Sequence, residues 1–232
     1  MNRFLLAIAV AAVLVAGSMG SAMATEIFFG NFAAPAGCSH SGSDPGFVCD
    51  SPVTFSASGA TFTVSGFDNP FVDPPDGSLT FKAGPSSPSL PHNTLGESGI
   101  GENGTGSGNP CTDEDCEIAA TKGVTVSVTG GVLNDAIIGS VQDGESFNYF
   151  VGGNFVATVT GGTASCVDPG IAGLADSCLV TFANSNLFGV QSNNLNVLVT
   201  AVSGTFGVPE PSTMALLGTA LVGLGLLSRR KA

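Results

Sequence analysis

Apolar and polar residues alternate over several short runs, with glycine, asparagine and aspartate between the runs. Val124, Val126 and Val128 alternate with Thr125, Ser127 and Thr129, and Leu195, Val197, Val199 and Ala201 keep the same rhythm. A period of two turns one set of side chains to a core and the other to solvent, the geometry of a half-buried strand. Val53–Ala57 and Phe62–Val64 flank Ser58-Gly59-Ala60, which predicts a hairpin that two registers fit equally well. Asp143-Gly144 separates Ala136–Val141 from Phe147–Val151, and Gly152-Gly153 separates that run from Phe155–Val159. Both dipeptides favour the positive φ of tight turns, so two more hairpins are predicted. The body shows no ten-residue run of helical periodicity. The expectation is an all-β fold, a single β-sandwich-like domain of about seven to ten strands with long Gly/Pro-rich loops.

The two ends depart from this rhythm. Met1-Asn2-Arg3 is a short basic start, Phe4–Ala16 is apolar, and Gly17–Ala24 is rich in small residues ending Ala22-Met23-Ala24. The apolar stretch is short of the about 20 residues of a membrane span, and the order is that of a signal peptide. Residues 1–24 are therefore expected to be removed by signal peptidase after Ala24, leaving Thr25 first. There is no twin arginine and no cysteine at the cleavage point, which fits the general secretory route without a lipid anchor.

Export makes the six cysteines a disulfide question, because the chain meets an oxidising compartment. Their spacings suggest three local pairs, Cys38–Cys49, Cys111–Cys116 and Cys166–Cys178, among fifteen connectivities that six cysteines allow. Zinc is disfavoured: no Cys-x-x-Cys is present, and His40 and His92 match no finger spacing and read as loop residues. Pro85–Asn109 is dense in Gly, Pro, Ser and Asn and reads as a long loop. Asp113, Glu114, Asp115 and Glu117 come after it, interrupted by Cys116. A solvated acidic turn is the simplest reading of these four. Calcium, which takes six to eight oxygen ligands in flexible geometry, is the one cofactor they suggest, although the run lacks the spacing of a known calcium loop.

The carboxy-terminal segment, 208–232, is the most specific stretch. Val208-Pro209-Glu210-Pro211-Ser212 precedes the uncharged Thr213–Leu227, and Arg229-Arg230-Lys231 lies beyond it. Two prolines resist helix at the entry, an apolar helix is expected next, and the basic cluster stays cytoplasmic. Fifteen helical residues reach only about 22 Å against a hydrocarbon core of about 30 Å, which suits a transient anchor better than a permanent one. This order resembles the PEP-CTERM sorting domain of exported bacterial proteins. The resemblance implies that Pro209, Glu210 and Pro211 are read by an exosortase-like, membrane-embedded sorting enzyme. It also implies a host that makes exopolysaccharide.

Charge narrows the partners. The segment between the two ends, residues 25–207, holds two lysines, Lys82 and Lys122, against seventeen carboxylates. A net charge of −15 repels nucleic acid and anionic lipid. No G-x-S-x-G elbow, H-E-x-x-H or phosphate-cradling glycine loop appears. The expected function is a non-enzymatic structural or adhesive component of the cell surface or exopolysaccharide matrix, with exopolysaccharide a candidate partner. A carbohydrate-binding module, calcium-dependent or not, and a secreted carbohydrate-active enzyme are the rival classes.

Overall fold

The computed structural model describes residues 24–29, 38–40, 46–67, 78–82, 99–102, 117–118, 120–171, 174, 176–194 and 197–207. The body, Ala24–Phe206, is one unit. Its strands are β1 (Ala24–Phe28), β2 (Cys38–His40), β3 (Gly46–Asp50), β4 (Val53–Ala57), β5 (Ala60–Phe67), β6 (Ser78–Lys82) and β7 (Gly99–Glu102). They continue with β8 (Gly123–Thr129), β9 (Gly131–Gly139), β10 (Ser146–Val151), β11 (Asn154–Thr160), β12 (Cys178–Ser185), β13 (Leu187–Ser192) and β14 (Leu198–Phe206). Eight strands form a large sheet in the order β12-β9-β14-β7-β6-β3-β2, with β1 paired to β14. Six form a small sheet in the order β11-β10-β13-β8-β5-β4. Every pairing is antiparallel. The two sheets make the sandwich the alternation predicts, and the described residues contain no α-helix.

Alternation builds the core directly. Val124, Val126 and Val128 on β8 are all buried. Val126 is flanked by Val64 on β5 and Phe188 on β13, so the row is apolar across these three central strands. Aromatic pairs then tie sheet to sheet. Phe62 of β5 meets Phe206 of β14 edge-on at 5.2 Å, and Phe182 of β12 stacks on Phe188 of β13 at 5.1 Å. Such pairs add about 0.5–1.5 kcal/mol beyond the apolar area they bury. A smaller cluster of Ile137, Leu174 and Ala201 is separate from this core and packs against Phe28 and Leu179.

Several expectations need correction. Fourteen strands are present among the described residues, more than seven to ten, because many are only three to five residues long. Asp143-Gly144 does form a tight turn, with Glu145 N donating to Gln142 O at 3.0 Å, but it joins no hairpin. It lies in a crossover from β9 in the large sheet to β10 in the small one. Ser58-Gly59 and Gly152-Gly153 do close hairpins, the first in the register Ala57↔Ala60. The alternation at Val197, Val199 and Ala201 breaks at an irregularity between Val199 and Ala201. Val199 and Val202 therefore enter the main core, while Ala201 joins the separate cluster. The Gly-rich stretch read as one loop holds β7, whose Ile100 is fully buried. Glycine suits that strand, since a Cβ on Gly99 would stand 2.6 Å from the Val199 carbonyl oxygen. His40 ends β2 instead of lying in a loop, and His92 lies outside the described residues.

β14 is the strand on which the large sheet turns. β9 covers one edge, while β7 at Val199 and β1 from Ala201 to Thr205 share the other. Close approach at Gly204 makes this possible, because a Cβ there would lie 2.1 Å from the Val132 carbonyl oxygen. Gly204→Ala must force the β9 and β14 backbones apart, and overpacking of this kind costs about 1–3 kcal/mol. Urea denaturation is expected to show a lower midpoint with an unchanged slope; an unaltered midpoint would mean the two strands do not approach as closely as this.

Candidate functional site

One end of the sandwich collects the crossover connections. Residues 140–145 link β9 to β10, 161–177 link β11 to β12, and 193–197 link β13 to β14. Backbone bonds stitch them together: Val141 N donates to Asp176 O at 2.7 Å, Gly144 N to Gly161 O at 3.3 Å, and Asn193 N to Ser146 O at 3.0 Å. The Asn194 side chain accepts from Ser146 N at 2.9 Å and donates to Gly144 O at 3.1 Å. The long connection is pinned to β12 by the Cys166–Cys178 disulfide, Cα–Cα 4.8 Å, and by a bridge between Val167 and Leu179. Leu174, 2% exposed, anchors its middle.

These connections enclose an open groove of about 170 Å³ lined by Val141, Asp143, Gly162, Cys166, Asp168, Leu174, Asp176 and Ser177. The Asp143 carboxylate lies over Gly162, where a Cβ would meet Asp143 Oδ1 at 2.2 Å. Gly162 also has φ +71°, so glycine is required there on two counts. Asp176 has φ +59°, a conformation aspartate tolerates better than most residues. Asp168 Oδ1 accepts from Gly170 N at 2.7 Å and holds its own loop. Ser177 is 5% exposed, and its hydroxyl is buried without a hydrogen-bond partner. Val167 and Ile171, in the same connection, are exposed apolar side chains. Among the described residues no three His, Cys, Asp or Glu side chains stand close enough to hold a metal ion. Carboxylates spaced apart in an open groove accept hydrogen bonds from hydroxyl groups, and the chemistry of the groove is that of an acceptor surface.

The sequence-predicted positions fall unevenly on this picture. Cys38 and Cys49 are cross-strand partners of β2 and β3, disulfide-bonded with Cα–Cα 4.3 Å, and Cys166–Cys178 forms as expected. Cys111 and Cys116 lie outside the described residues, as do Asp113, Glu114 and Asp115. Glu117 is described, and it is 7% exposed beside Ile118, which bridges Val197 at the start of β14. It is thus a buried carboxylate at the edge of the core, unlike the solvated turn residue that the acidic run suggests. Ala22 and residues 208–232, with Pro209, Glu210, Pro211 and the expected apolar helix, lie outside the described residues. Ala24 and Thr25 belong to β1, opposite Thr205 and Gly204. Sequence reasoning missed the Asp143–Asp168–Asp176–Ser177 grouping; its only local signals are Asp143-Gly144, which reads as a turn, and the position of Asp176 two residues before Cys178.

A second electrostatic feature lies midway along the strands. Glu26 pairs with Ser203, and Ser203 pairs with Asp135, so one row of the large sheet carries two carboxylates. Burial first, and the Asp135 charge second, push the Glu26 carboxyl above the usual carboxylate range.

Fold and groove together define a disulfide-pinned, all-β sandwich whose first and last strands pair with each other. The segment directly after β14 places the chain more narrowly: residues 207–231 match the PEP-CTERM protein-sorting motif. That motif implies recognition by an exosortase-type sorting enzyme. It supports an exported protein held transiently in the membrane through its carboxy-terminal segment. No curated protein matches the chain.

The Glu26 carboxyl and the long connection each yield a measurable outcome. A raised folded pKa means the native state holds the Glu26 proton more tightly than the unfolded chain does. The associated stability is fully present below the ordinary carboxylate value and is lost as pH rises through the raised one. Glu26→Gln is therefore expected to match the wild type in acid and to melt at a higher temperature near neutral pH, the gap opening across that window. Equal melting temperatures at all pH values would show that Asp135 and burial do not penalise the charge. For the long connection, Cys166→Ala with Cys178→Ala opens a loop with sequence separation 12. The chain-entropy model sets the loss at about 3 kcal/mol. Denaturant midpoints are expected to fall by no more than this while far-ultraviolet circular dichroism keeps its β signature; loss of the β signature would make the bridge essential to the core itself.

Proposed function

We propose that the body is a structural or adhesive component of the cell surface or exopolysaccharide matrix, without enzymatic activity, delivered there by its sorting tail. The observation that carries this reading is the direct succession of Phe206, the last residue of β14, and a sorting motif that begins at residue 207. The tail thus addresses the sandwich itself, and the sandwich is what remains outside. Among the described residues, its groove is lined by carboxylates and a buried hydroxyl and by no histidine or lysine. Signal peptidase cleavage after Ala24 would leave Thr25 first and cost β1 only its pairing with Thr205.

A second reading is favoured by the groove. The partnerless Ser177 hydroxyl, the acceptor carboxylates of Asp143, Asp168 and Asp176, and the nearby exposed Val167 and Ile171 fit a hydroxyl-rich chain with apolar ring faces. On that reading the body is a glycan-binding module. Calcium held by Asp113, Glu114, Asp115 and Glu117 belongs to the same reading and would appear as a melting shift at millimolar calcium.

The test of the main reading is a pair of strains. In one, Pro209→Ala with Pro211→Ala is expected to trap the full-length chain in the membrane fraction, while the wild-type chain reaches the surface. In the other, deletion of the gene is expected to reduce the dry mass or cohesion of the matrix. Equal surface delivery of the proline variant would reject exosortase-type sorting; an unchanged matrix would reject the structural role and leave sorting intact.

A further inference from the structure

Among the described strands β11 is outermost in the small sheet, and its ladder with β10 slips by one residue. Tyr149 pairs with Ala157 and Phe150 with Phe155, so Val156 has no partner across the ladder. An extra residue of this kind bends its strand and re-aims the side chains beside it. A regular strand would send one of two successive side chains inward. Phe155 and Val156 are instead both turned outward, at 58% and 46% exposure. Phe150 meets the Phe155 ring edge-on, with centroids 5.9 Å apart and planes at 71°.

One step along the strands the same face becomes polar. Asn148 lies two residues before Phe150 and so shares its face. Its Oδ1 accepts from Thr158 Oγ1 at 2.7 Å and from Asn193 Nδ2 at 3.2 Å, and its Nδ2 donates to Asn193 Oδ1 at 2.7 Å. These bonds fix the amide in one orientation, while Asn148 Nδ2 keeps a second hydrogen and Thr158 Oγ1 keeps its lone pairs. The aromatic row and the amide row are about 7 Å apart along β10. No charged residue occurs in residues 146–166 or in β13, although residues 25–207 carry a net charge of −15.

We propose that this face is a binding platform for an uncharged polysaccharide chain, with one sugar ring on Phe155 and Val156 and its neighbour's hydroxyl groups on Asn148 and Thr158. The inference rests on the glycan-binding reading of the body and adds to it a contact surface distinct from the acidic groove. Both rows suit a sugar. The negative face of an aromatic ring attracts the C–H bonds that line one side of a pyranose, and hydroxyl groups at the rim of the sugar both donate and accept. Charge selects the class. A body of net charge −15 repels an anionic polysaccharide, and residues 146–166 hold no cation to offset that. The same charge sets two copies of the chain against each other. The bulge at Val156 also twists the strand edge away from the flat geometry in which a second copy would extend the sheet. A neutral glycan meets neither obstacle.

Affinity electrophoresis of the full chain in detergent tests the platform, with a neutral glucan, mannan or galactan, or anionic alginate, cast into the gel. At least one neutral polymer is expected to retard the chain, and alginate is not. Phe155→Ala with Val156→Ser is expected to lose most of the retardation, and Phe155→Tyr is expected to keep it. Both side chains are exposed, and circular dichroism checks that each variant is folded. Asp168→Asn with Asp176→Asn, in the groove, is expected to leave most of the retardation in place. Undiminished retardation after loss of Phe155 and Val156 overturns the platform and leaves the glycan-binding reading standing. Retardation by alginate alone overturns the uncharged platform, and retardation by no polymer overturns the platform and the glycan-binding reading together. A native chain that sediments as a dimer, with the Phe155→Ala, Val156→Ser chain a monomer, would place a second copy on this face and overturn the platform as well.

Discussion

The large sheet depends on β14, the last strand of the body. β9 lies along one of its edges, and β1 and β7 divide the other. Its side chains Val199, Val202 and Phe206 enter the main core, and Phe206 meets Phe62 of the opposite sheet. A chain lacking residues 198–206 therefore cannot pair β1, seat β7 or close the aromatic contact between sheets. The first strand waits for the last across nearly the whole body, the long-range pairing that makes β folds slow. The large sheet is therefore complete only once β14, through Phe206, is available to pair.

Much of the fold was legible because strand formation is a local property. The β-branched alternation in Gly123–Thr129 gave β8 with its buried face, and Gly152-Gly153 gave a true hairpin. Sheet membership is not local. The turn at Asp143-Gly144 has the same chemistry as a hairpin turn, with Gly144 at φ +87°, yet it joins strands of different sheets. What decides is the partner each strand finds: β9 lies between β12 and β14, and β10 between β11 and β13. Those contacts are set by core packing, which a dipeptide does not encode. The break at Val199–Ala201 is another case. An irregularity shifts the phase of a strand by one residue, and every side chain beyond it changes face.

The groove was illegible for the same reason. Asp143, Asp168 and Asp176 are far apart in the chain and become neighbours only because two crossovers end at one edge of the sandwich. The disulfides were easier, since Cys38 and Cys49 face each other across a short hairpin and Cys166 and Cys178 close the long connection onto β12. Short spacing makes such pairs cheap in loop-closure entropy. The tail was easiest of all. Its information is an order of residue types along the chain, Pro209-Glu210-Pro211, then an apolar stretch, then Arg229-Arg230-Lys231, and it needs no fold to be read.

The distribution of charge is a consequence of these placements. Seventeen carboxylates against two lysines cannot be neutralised by ion pairs, so the body must spread them or set them in water. Strand interiors take few: burial first, and Asp135 in the same row second, already raise the proton affinity of Glu26. Tight hairpin turns that need positive φ take glycine and asparagine in preference, which leaves the Ser58-Gly59, Gly130 and Gly152-Gly153 turns without charge. The long crossovers are the segments left, exposed enough to solvate aspartate and flexible enough to use its side chain as a turn acceptor, as Asp168 does toward Gly170. Among the described residues, solvation thus places Asp143, Asp168 and Asp176 on the crossover connections, and the Cys166–Cys178 bridge pins the longest of these to β12.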